Sequence, residues 1–93
     1  MIIGTLEVSL FIGHANSLKE KRRVLKSIKD NLHNKFNVAV AEVDRHDTWQ
    51  VAVLGIVSVS NEKRFLEALL SKVIDYLKTV HSCNLTNYSL EIF

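Results

Sequence analysis

The order in which the hydrophobic period changes along this chain leaves few folds open to it. Residues 2–12 alternate, with Leu6, Val8, Leu10 and Ile12 on one face and Thr5, Glu7, Ser9 and Phe11 on the other, so they predict a strand with one buried side. The period then lengthens. Leu18, Leu25, Ile28, Leu32 and Phe36 recur at helical spacing and predict a helix over about residues 18–35. "VAVAEV" (38–43) is a short β-rich run, and "DRHDTWQ" interrupts it with polar turn formers. "VAVLGIVSVS" (51–60) is a third strand, apolar on both faces. A second helix spans about 61–81, with Phe65, Leu66, Leu69, Leu70, Val73, Leu77 and Val80 facing inward, and "TNYSLEIF" closes the chain as an alternating strand. The order is βαββαβ. It predicts an α+β fold, the ferredoxin-like plait, in which two helices cover one face of a four-stranded antiparallel sheet.

Ninety-three residues without proline, repeat or low-complexity segment make a single domain, 1–93. The third strand sets a further condition. Val51, Val53, Val57 and Val59 lie on one side and Ala52, Leu54 and Ile56 on the other, and only one row can lie beneath the helices. The other row points to self-association through the sheet, a homodimer; the plainer alternative is a β-branched central strand with a few exposed valines.

The start, "MIIGTLEVSLFIG", has no basic segment and carries Glu7 in its middle, so it reads as a strand rather than a signal peptide or membrane anchor. The single cysteine, Cys83, excludes an intramolecular disulfide and any multi-cysteine zinc site. A reduced, cytoplasmic protein is the expectation, with no membrane partner.

Charge is where the sequence departs from structural need. Residues 19–35 hold seven Lys or Arg against Glu20 and Asp30, a net of +5, which leaves −3 for the rest of a chain whose total is +2. Ser17 can cap the first helix, with Glu20 reaching back to complete a capping box. Yet Lys19, Lys21, Arg22 and Arg23 crowd the first turns, where the helix dipole favours anions. At 100° per residue, Lys19, Arg22, Arg23, Lys26, Lys29 and His33 fall on one side, along roughly 25 Å of helix. Such a stripe suits a phosphate backbone; Lys19, Lys21, Arg22, Arg23, Lys26 and Lys29 are the candidate nucleic-acid contacts. The competing reading is a solvated polar face. Phe11 is the lone aromatic candidate on the central strands, so the sheet is a poor base-stacking surface and the first helix with its neighbouring loops is the better one.

The loop "EVDRHDTWQ" gathers Glu42, Asp44, His46, Asp47, Trp49 and Gln50. A histidine beside carboxylates suits acid–base chemistry or a metal. Turn formation gathers the same residue types, with Trp49 as an anchor, so His46, Asp47, Trp49 and Gln50 are read as a structural or partner-contact loop, ahead of a metal site, and a metal site ahead of catalysis. No catalytic residue, metal ligand set or cofactor is assigned, and His14 and His81 read as surface or cap histidines.

"SLKEKRRVLKSIKDNLHNKFNVAVAEVD", with "HDTWQ" and "VSVSN" after it, resembles the YlxP-like family of small bacterial proteins, a domain of unknown function. The resemblance covers almost the whole chain. It implies a ferredoxin-like fold, a cytoplasmic bacterial protein and, through genes found beside translation initiation and ribosome maturation factors, association with ribosomal RNA or the ribosome. It brings no enzymatic activity. The motif positions are Ser17, Leu18, Lys19, Glu20, Lys21, Arg22, Phe36, Asn37, Val38, Glu42, His46, Asp47, Trp49 and Gln50, without roles. The "DRHDT" turn departs from the pattern. The leading expectation is a non-enzymatic, translation-associated factor that binds structured RNA through its basic helix. A small-molecule or regulatory ligand-binding dimer of ferredoxin-like domains comes second and an enzyme using His46 and Asp47 third.

Overall fold

A computed structural model describes residues 1–93. The elements run β1 (Ile2–Phe11), α1 (Leu18–Lys35), β2 (Ala39–Asp44), β3 (Val51–Ser60), α2 (Lys63–Thr79) and β4 (Asn84–Ile92). All strands pair antiparallel in the order β2-β3-β1-β4, so β3 and β1 form the centre, and the fold is the ferredoxin-like plait. The alternation of β1 resolves as expected, since Leu6, Val8 and Leu10 are buried and so is Ile12 just beyond the strand. Leu25, Ile28 and Leu32 of α1 and Leu70, Val73, Ile74 and Leu77 of α2 close the same core. Gly4 is where α2 approaches nearest: a Cβ there would lie 2.9 Å from Leu70 Cδ1.

Two inward assignments change. Phe65 is 54% exposed, and Ile74 takes a core position instead. Around α2, Phe65 lies about 100° from the centre of the Leu66, Leu70, Val73 and Leu77 seam, too far to reach the sheet.

The face of the sheet away from the helices is divided. Phe11, Val43, Val57 and Val59 leave an exposed apolar strip, while Glu7, Asn87, Ser89 and Glu91 make the β1–β4 side polar. Val53 belongs to this face too, but it is only 7% exposed, opposite Asp44, where the register between β2 and β3 shifts past Glu42. Val43, in that bulge, sits over Gly55, whose missing Cβ leaves the room.

Candidate nucleic-acid interface

The antiparallel order brings three connections to one end of the molecule: β1 to α1, β2 to β3, and α2 to β4. The basic first turns of α1 therefore stand beside the loop carrying His46 and Trp49. Ser17 caps α1 from an extended backbone, its Oγ accepting the Glu20 N–H at 3.1 Å. The reciprocal bond is offset by one residue, because Glu20 Oε2 accepts the Asn16 N–H at 2.7 Å instead of that of Ser17. Glu20 is thus committed to the cap.

Lys21 is corrected. Its place in the basic run makes it a candidate phosphate contact, but it is 1% exposed and cannot reach one. Its Nζ donates to the Arg45 carbonyl at 2.7 Å and lies 2.8 Å from Glu42 Oε2. That carboxylate oxygen is buried and has no aligned hydrogen bond, so its contact with the ammonium is one of charge. The reason lies in the helix period. Lys21 is three residues after Leu18 and four before Leu25, in the middle of the seam that faces the sheet. Its charge is spent inside the molecule, tying α1 to the end of β2.

The loop is held on both sides. Arg45 adopts a left-handed backbone, φ 61°, with its N–H donating to Asp44 Oδ1 at 2.7 Å, and its carbonyl accepts from Thr48 N–H as well as from Lys21. On the far side Gln50 Nε2 donates to the Gly13 carbonyl at 2.9 Å, and the Gln50 carbonyl accepts the Ile12 N–H at 2.7 Å. His46 Nε2 lies 3.1 Å from the Glu42 carbonyl; a carbonyl only accepts, so Nε2 carries the proton. Asp47 and Trp49 point into solvent, and His14 and His81 are exposed. No three His, Cys, Asp or Glu side chains come together as a metal site.

Of the remaining stripe, Lys19, Arg22, Arg23 and Lys26 are exposed and Lys29 is half-buried. The ion pairs are three: Lys21–Glu42, Lys26–Asp30 at 2.8 Å and Lys63–Glu67 at 3.8 Å. Lys35 sits over the Tyr76 ring, 5.4 Å from its centroid. Lys19, Arg22 and Arg23 therefore face solvent without an acidic partner, Lys29 is partly exposed and likewise unpaired, and Arg45, which lies outside the helical charge stripe, joins them from the loop. The Lys26 hydrogen bond holds the Asp30 carboxyl below its ordinary range, and the charges of Lys26, His33 and Lys29 act in the same direction.

Cys83 is a packing residue. Burial pushes its thiol above the ordinary value, which lowers the thiolate population. Native protein at neutral pH is expected to react with iodoacetamide far more slowly than protein in denaturant; equal rates would show an accessible, activated thiol.

The family model described as "Protein of unknown function (DUF503)" matches residues 3–90. The chain is also similar to "Uncharacterized protein YlxP" of Bacillus subtilis (strain 168), at 42% identity over 76 residues, which covers 82% of this chain and 83% of that protein. A match that runs from β1 into β4 takes in both helices, the clamped loop and all of the sheet except the ends of β1 and β4. The chain belongs to the DUF503 family and is a relative of YlxP.

Proposed function

We propose that the protein is a non-enzymatic cytoplasmic accessory of the translation machinery, docking on structured RNA of the ribosome through the exposed cations of α1. The observation that carries this reading is the set Lys19, Arg22, Arg23 and Lys29, left without acidic partners on a helix whose cap and buried ion pair already serve folding. Cations near a helix start are unfavourable to the helix alone, and a phosphate placed there reverses the sign. No helix is long and apolar enough to cross a membrane. The gene neighbourhood implied by the family resemblance points the same way.

The test is ribosome and rRNA binding measured against salt. The triple variant Lys19→Gln/Arg22→Gln/Arg23→Gln should remain folded, bind more weakly to RNA of any sequence, and lose roughly one unit of salt slope per phosphate contact removed. Glu20→Ala is the control: it weakens the cap by about 1 kcal/mol and should leave the slope unchanged. A folded triple variant that binds as tightly as wild type would make the stripe a solvated face.

A second reading, a homodimer through the open sheet face, is supported by the strip of Phe11, Val43, Val57 and Val59.

A further inference from the structure

We propose that Trp49 is a stacking platform for an unpaired nucleobase, so that the RNA gripped by α1 is a duplex interrupted by a loop or bulge rather than a continuous helix. This rests on the reading of α1 as the phosphate-binding element. Four observations lead to it. Trp49 is the one tryptophan in the chain and is 52% exposed. It belongs neither to the buried core nor to the apolar side chains packed against it. Its loop is nonetheless held in place, by Lys21 Nζ on the Arg45 carbonyl and by Gln50 Nε2 on the Gly13 carbonyl, so the indole is carried on a fixed mount at the start of the basic helix. Of the other exposed aromatics, Phe65 and Phe93 lie at the opposite end of the molecule and Tyr88 midway along β4, while Phe11, at this end, is less exposed (39%) and has its ring against Gly13.

The chemistry of the loop selects a base over a phosphate. Trp49 shares a shallow concavity with Asp47, Thr48 and Gln50, and Asp47 is exposed. A carboxylate repels phosphate but accepts hydrogen bonds from the edge of a base. Phosphates then run along Lys19, Arg22 and Arg23, while a base leaves the stack and lies on the indole. An aromatic ring offers a stacking surface at little entropic cost when its mount is already fixed. In a continuous duplex every base is already stacked, and the ring has nothing to receive.

The single tryptophan makes the test direct. Wild-type protein is titrated with a blunt RNA duplex and with the same duplex closed by a loop of unpaired purines, while indole emission and binding are followed together. Looped RNA should quench the emission in step with binding, and the duplex should bind without quenching. Trp49→Ala should weaken looped RNA about tenfold and leave both the duplex affinity and the salt slope unchanged. Trp49→Tyr, which keeps a ring, should retain most of the affinity. Unchanged emission at saturation with looped RNA, or equal losses for both RNAs in Trp49→Ala, overturns the stacking role and leaves the α1 reading standing. If neither RNA binds, the α1 reading fails and this inference with it.

Discussion

Lys21→Met is expected to cost about 3 kcal/mol of folding stability, although the variant keeps the aliphatic stem and removes only the ammonium. The Glu42 carboxylate loses its counter-charge and the Arg45 carbonyl loses a donor, and Glu42 Oε2 has no other partner to turn to. Breaking a buried pair from one side leaves an uncompensated charge, worth roughly 3–5 kcal/mol; the partial exposure of Glu42 places this site at the lower end. For a domain of this size the thermal midpoint should fall by about 12–24 °C. Glu42→Gln should do comparable damage by stranding the ammonium. Lys21→Met/Glu42→Leu should recover much of the loss, because a buried ion pair replaced whole by apolar groups is often neutral or better. Thermal unfolding followed by circular dichroism decides the matter. A single variant within about 0.5 kcal/mol of wild type would mean that the pair is solvated, and the clamp on the loop would have to be given up.

Two positions on opposite faces of β3 are expected to behave in opposite ways. Leu54 is fully buried beneath the helices, and Leu54→Glu loses about 2–5 kcal/mol of packing before the cost of burying a carboxylate is added. Small domains hold about 5–15 kcal/mol in total, so this variant should not fold at neutral pH. Val57 lies on the open face, and Val57→Glu should stay within about 0.5 kcal/mol of wild type. Sedimentation then separates the readings of that face. If the protein self-associates through the sheet, Val57→Glu should be a folded monomer. Wild type that is already monomeric at high micromolar concentration removes the homodimer.

The architecture was legible because its signals are periodic. The change from alternation at Leu6, Val8 and Leu10 to helical spacing at Leu25, Ile28 and Leu32 marks the elements, and the order of elements leaves the plait. Lys21 was misassigned because residue type was given more weight than position. A lysine in a basic run reads as part of the polar face, although its place between Leu18 and Leu25 had already put it in the seam. Phe65 failed in the reverse sense, an apolar residue taken as inward although it lies a quarter-turn from the seam. Val53 shows a different limit: its burial comes at a register shift between strands, which no pattern within one strand contains. The candidate site divides the same way. The stripe on α1 was visible as charge, but its union with the Trp49 loop is made by contacts between residues far apart in the chain, Lys21 with Arg45 and Gly13 with Gln50.

The position of β1 has a consequence for synthesis on the ribosome. It is made before the other three strands and it sits inside the sheet, with β3 along one edge and β4 along the other. A nascent chain that has reached residue 50 therefore presents β1 with both hydrogen-bonding edges unpaired and an apolar face uncovered. One edge is filled when residues 51–60 emerge, and the other stays open until residues 84–92 have left the tunnel. Until then β1 is a ready template for the wrong strand, so slow translation through α2 prolongs the interval in which the chain is most prone to aggregate.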